Sequence, residues 1–126
     1  MDTIRARREA EAEVLREKAL KVVAIEPFGN GAQDVDPALT ELTIRFDRPL
    51  VGRGYSFGLG PGGEATRVKF GDLVGYSEDK TSLTMKVELE PNRNYEFLIL
   101  RNYGFVTPDG VRLYENYLVK FRTRDK

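Results

Sequence analysis

Leu89-Glu90-Pro91-Asn92-Arg93-Asn94-Tyr95 places an apolar residue, a turn-forming proline and a tyrosine at the spacing found where a sandwich strand crosses to the opposite sheet. A tyrosine ring at such a crossing fills the corner. Its hydroxyl bonds a backbone group a few residues upstream and so satisfies a polar atom that would otherwise be buried alone. The segment predicts a tyrosine corner with a structural role, since a catalytic Tyr95 would need a base or metal ligand beside it.

Working outward, Leu83, Met85, Val87 and Leu89 alternate with Thr84, Lys86 and Glu88, the pattern of a half-buried strand. Downstream, residues 95–101 and 117–123 read as strands separated by a turn at Pro108-Asp109-Gly110. Upstream, Leu42, Ile44 and Phe46 alternate with Thr43, Arg45 and Asp47 until Pro49. Val23-Ala24-Ile25 forms a first strand that stops at Pro27, Gly29 and Gly31. Tyr55, Phe57 and Leu59 make another alternating run before Pro61-Gly62-Gly63, and residues 68–76 supply one or two weaker strands. The total is about seven or eight short strands without helices between them, which predicts a mainly β fold, an antiparallel sandwich or a small barrel. The corner turn favours the sandwich.

Residues 3–20 carry no helix breaker and are rich in Ala, Leu, Arg, Glu and Lys, which predicts an N-terminal α-helix. Ile4, Val14, Leu15, Ala19 and Leu20 give it a thin apolar stripe, while Arg5 with Glu9 and Arg7 with Glu11 stand four apart and can pair. Heptads are absent, so the expectation is a lead-in or linker helix, residues 1–21, docking through its last turns on a sandwich of residues 22–126. A helix that opens without a cap of its own also suggests a piece of a longer protein with an added Met1.

The 126 residues include 20 basic and 20 acidic side chains, so no net field favours nucleic acid or an anionic membrane. Cysteine and histidine are absent, which removes disulfides, thiolate nucleophiles, imidazole catalysis and the usual zinc and haem ligands. No run approaches the ~20 apolar residues of a membrane-spanning helix. Asp34 and Asp36 stand two apart in a loop, yet the run of ligands and the bidentate glutamate of a calcium loop do not follow, and a turn explains them better. The stretch Gly58-Leu59-Gly60-Pro61-Gly62-Gly63 lacks the Lys-Ser/Thr ending of a phosphate loop and reads as a flexible hairpin loop. Asp72, Glu78, Asp79, Glu90 and Glu115 fall at strand ends or turns, where a solvated charge is expected rather than a glycosidase pair. The expectation is a non-enzyme without metal or cofactor.

Five short motifs occur in one order. They are Ile25-Glu26-Pro27 with Gly31-Ala32-Gln33-Asp34-Val35-Asp36-Pro37; Ile44-Arg45-Phe46-Asp47-Arg48-Pro49; Lys80-Thr81-Ser82-Leu83-Thr84; the corner at residues 89–95; and Asp109-Gly110 with Phe121-Arg122-Thr123. In this order they resemble the immunoglobulin-like domains of bacterial S-layer and other surface proteins, the SbsA-type Ig-like domain, across about residues 22–123. Asn92 departs from the pattern, since glycine is usual in that corner turn. The resemblance implies an immunoglobulin-like sandwich acting as a non-catalytic module of a larger extracytoplasmic bacterial protein, periplasmic, surface-bound or secreted. It would serve as a spacer or a protein-interaction domain, with neighbouring domains of the same polypeptide or another protein as partners. A carbohydrate-binding module and an accessory domain of a secreted enzyme are the alternatives.

Two surfaces stand out. If Tyr95, Phe97 and Ile99 point inward, alternation turns Leu98 and Leu100 outward, with Leu118 beside them, and an apolar face of that size calls for a cover. The N-terminal helix is the expected cover, with a partner protein as the alternative. Tyr103, Phe105 and Tyr114 form the candidate set of ligand aromatics for a glycan or protein contact, with core or loop packing the simpler expectation.

Overall fold

The computed structural model describes the backbone of residues 2–125 and the side chains from Arg8 to Asp125. The expected Arg5–Glu9 and Arg7–Glu11 pairs and Ile4 lie outside the described side chains. A helix, α1 (Asp2–Lys18), leads into seven strands: β1 (Val22–Glu26), β2 (Glu41–Phe46), β3 (Phe57–Leu59), β4 (Lys69–Tyr76), β5 (Ser82–Glu88), β6 (Asn94–Ile99) and β7 (Tyr117–Arg122). A single turn of 3-10 helix, Gly63–Thr66, interrupts the path from β3 to β4.

The strands form two antiparallel sheets, ordered β1-β2-β5-β4 and β3-β6-β7. That is the strand order of a constant-type immunoglobulin sandwich, and it excludes the barrel. Alternation decides the layers: Leu42, Ile44, Phe46, Leu83, Met85 and Val87 face inward from the first sheet, and Tyr95, Phe97, Ile99, Val119 and Phe121 meet them from the second. Leu20, Leu50, Phe105 and Leu113 plug the core from outside the strands. The weak run before residue 76 is one strand, β4, whose pairing with β5 slips on either side of Leu73.

Each sheet has two edges, and a bare edge is a template for unwanted pairing. The outer edge of β7 is covered by the chain after β1. Gly31 N–H donates to Lys120 O at 2.7 Å, Arg122 N–H to Ala32 O at 2.8 Å, and Arg124 N–H to Val35 O at 2.9 Å. The facing edges of β3 and β4 carry no such cover among the described residues.

The crossing from β5 to β6 is closed from both ends. The Tyr95 hydroxyl accepts the Glu90 backbone N–H at 2.7 Å with its ring buried against Phe121, 5.3 Å between centroids. Thr123, itself buried, donates to Glu90 O at 2.6 Å and accepts from Arg93 N–H at 3.0 Å. Asn92 takes a left-handed conformation, φ 56°, which asparagine tolerates better than most residues and which explains its place where glycine is usual. Tyr95→Phe keeps the ring and deletes the bond, and is expected to lower stability by about 1 kcal/mol. Urea melts of the two proteins check it; coincident midpoints would mean that the hydroxyl contributes nothing.

Candidate functional site

The facing edges of β3 and β4 open into a solvent-connected cleft of about 700 Å³. Phe57 and Phe70 stack at its base, centroids 4.6 Å apart and 12° from parallel, and Phe97 stands edge-on to both at 5.5 and 5.1 Å. The alternation that points Phe97 inward brings it there, and the short β3 leaves Phe57 half-buried at the border of the core. Three exposed ion pairs mark the surrounding surface: Arg67–Glu64 at 3.4 Å, Lys69–Glu88 at 2.9 Å and Arg93–Glu90 at 2.7 Å. The hydrogen bond to Glu88 holds the Lys69 ammonium above the usual lysine range.

One wall is fastened by a buried carboxylate. Glu96 points to the outer side of β6, in register with Lys120, yet is only 9% exposed because residues 60–66 fold over it. Its Oε1 accepts Gly62 N–H at 2.8 Å and the Thr66 hydroxyl at 2.9 Å, and Lys120 Nζ lies 3.8 Å from Oε2. A Cβ at Gly60 would fall 2.7 Å from Glu96 Cβ, and one at Gly62 2.6 Å from Glu96 Oε1. The glycines that suggest a flexible loop are instead what lets the loop close on Glu96.

The sequence-predicted surfaces are distributed differently. Leu98 and Leu118 sit directly opposite each other on β6 and β7, and all three leucines of that face are half-buried. Leu100 packs over Gly58 and Leu118 beside Gly60, so bare glycine backbone accepts the leucine side chains. The described part of the helix, Arg8 to Lys18, is not their cover. From Arg8 to Lys18 every side chain but the half-buried Ala12 is exposed, Val14 and Leu15 among them. Among the described residues the helix is held in its last turn and at its end. Arg48 donates to Lys18 O at 3.1 Å and to Ala19 O at 3.2 Å, Lys21 Nζ donates to Glu17 O at 2.6 Å, and Leu20, buried, bonds Arg112 O through its N–H at 3.1 Å.

The proposed ligand aromatics do not converge. Tyr103 is 70% exposed, whereas Phe105 is fully buried against Phe46 and Phe57, which removes it as a contact residue. A strand-like return into the core, not surface display, is what its apolar ring dictates. Tyr114 is half-buried, with the Arg16 guanidinium 4.9 Å above its ring. Asp36 caps Ala38 N–H at 2.8 Å and pairs with Arg124 at 3.3 Å, and among the described residues no group of three acidic side chains is placed to hold a metal ion. Asp79 accepts bonds from Ser77, Thr81 and the Thr81 N–H, which hold its carboxyl down to about 2 and serve a turn. Sequence reading missed Glu96 and the β3–β4 cleft; the paired glycines at positions 60 and 62 opposite an outward glutamate were the available signal.

No protein-family model matches the chain, and no curated protein matches it. Among solved structures it is similar to surface layer protein SbsC, domains 1-6, at 18% identity and a TM-score of 0.55, covering 99% of this chain and 16% of that one. It is similar to the S-layer protein rSbsC(31-844) at 18% identity and a TM-score of 0.54, with the same coverage. That likeness shows the fold. The chain therefore spans about one sixth of these S-layer chains, and helix and sandwich fall within the matched stretch together.

Proposed function

We propose that this chain is a non-catalytic immunoglobulin-like module of an extracytoplasmic bacterial protein, a spacer that fixes its neighbours at a set angle. Residues 1–21 are the lead-in helix and residues 22–126 the sandwich, with Tyr95 as its tyrosine corner. The observation that carries this reading is the clamp at the helix end: a helix whose described side chains are nearly all exposed is tied to the sandwich by Arg48, by the Leu20 N–H and by the paired bonds of the Lys21 backbone with Asp47, with Arg16 over Tyr114 beside them. A tether needs no such junction, and a spacer does. Likeness to pieces of multidomain S-layer proteins supports the module reading and the extracytoplasmic setting. The half-exposed face of Leu98, Leu100 and Leu118 is assigned to a neighbouring domain of the same polypeptide.

The chain has no cysteine, so spin labels can be placed at will. With Glu13→Cys and Lys86→Cys labelled, both positions being exposed, pulsed dipolar spectroscopy is expected to give one narrow distance distribution. Arg48→Ala is expected to broaden it. A broad distribution in the parent labelled chain would sink the fixed spacer.

A further inference from the structure

We propose that the cleft between β3 and β4 is a saccharide subsite, which sets the C–H face of one sugar ring on the phenylalanine floor and hydrogen-bonds its hydroxyls through the surrounding Arg–Glu pairs. The inference goes beyond the spacer reading and does not depend on it. The volume, about 700 Å³, falls in the ~300–1,000 Å³ range of small-ligand sites. The lining sets the chemistry. Phe57 and Phe70, both half-buried, supply aromatic carbon at the base, with Phe97 buried edge-on behind them, the kind of surface on which the carbon face of a pyranose packs. Around it, Arg67 and Arg93 offer forked donors while Glu64 offers an acceptor and Glu90 pairs with Arg93 from beside the cleft, an arrangement that suits vicinal hydroxyls.

Charge and edge geometry exclude two other occupants. Arg67, Lys69 and Arg93 are each matched by a carboxylate, so no uncompensated positive charge selects an anion. Strand addition by a peptide needs a regular free edge. Here β3 has three residues, and β4 breaks register twice, so neither edge templates a continuous ladder. The wall is also built in advance: Glu96 ties residues 60–66 in place through Gly62 and Thr66, leaving little ordering to be done on binding.

The test is an amide chemical-shift titration of the full chain with two probes, a glucose tetrasaccharide and an N-acetylglucosamine tetrasaccharide. At least one is expected to saturate with a Kd on the order of 1 mM, shifting residues 57–59, 64–70 and 93–97. Phe70→Leu, which keeps the base apolar but removes the ring, is expected to weaken that binding about fivefold. Arg67→Ala changes only an exposed side chain and tests the polar edge in a protein whose fold is intact, with a similar loss expected. Three results would overturn the proposal: no saturable shift with either sugar, shifts centred on Tyr103 and Tyr114, or binding unchanged in both variants. Shifts of the same residues by N-acetylphenylalanine amide at about tenfold lower concentration would give the cleft to a peptide side chain instead.

Discussion

Phe105→Ala is expected to lower the unfolding free energy by about 3–5 kcal/mol, a large share of what a domain of this size holds. The ring has no exposed surface, lies 5.2 Å from Phe46 and 5.8 Å from Phe57 between centroids, and joins the first sheet to the β3 strand of the second. Truncation removes its transfer free energy and leaves a cavity that two flanking rings cannot easily fill. The backbone on either side is pinned, Phe105 N–H to Tyr103 O at 2.9 Å and Val51 N–H to Val106 O at 2.9 Å, so the loop cannot collapse inward to compensate. With a urea m-value of about 1–3 kcal/mol/M, the midpoint should fall by roughly 1 M or more. Tyr103→Ala, two residues away and 70% exposed, is expected to stay within about 0.5 kcal/mol of the parent. Equal losses in the two variants would show that Phe105 is not the core residue its burial indicates.

The same pair of residues marks where sequence reading succeeds and where it ends. Strand patterning is a local signal with a fixed period, and Leu83 to Val87 on β5 or Leu42 to Phe46 on β2 fall on the core face as alternation requires. The bond from the Glu90 N–H to the Tyr95 hydroxyl lay within reach of the sequence because it spans only five residues. Phe105 sits in no strand, so no periodicity assigns it a side, and an aromatic between turn residues reads equally as anchor or display. Glu96 was hidden for a different reason. Its outward place on β6 was correctly implied by the inward Tyr95 and Phe97, but its burial comes from residues 60–66, 30 or more positions away, folding over it. The helix shows the same limit: its thin apolar stripe suggests a cover for the leucines, whereas the leucines are half-covered by lying across Gly58 and Gly60.

Gly104→Ala is expected to cost about 2–5 kcal/mol, by two routes that a control separates. Gly104 has φ +81°, where an alanine is strained by about 1–2 kcal/mol. A Cβ there would also lie 2.5, 2.6 and 2.7 Å from the Cα, N and C atoms of Tyr55, backbone that has no rotamer to yield. The opposing strand of chain cannot retreat freely: the Tyr76 hydroxyl donates to Gly54 O, the Ser56 hydroxyl donates to Tyr103 O at 2.8 Å, and Leu100 N–H donates to Ser56 O at 3.1 Å. Gly110, with φ +88° and open space around its Cβ position, carries the conformational cost alone, so Gly110→Ala should lose only about 1–2 kcal/mol. The excess loss in Gly104→Ala measures the clash. Because Tyr55 and Ser56 lead directly into β3, pushing them outward should also disturb amide signals at Phe57 and Gly58, on the wall of the cleft, while Gly110→Ala leaves those signals in place. Matching losses in the two variants, with β3 undisturbed in both, would mean that the close approach of residues 55 and 104 does not hold the cleft wall.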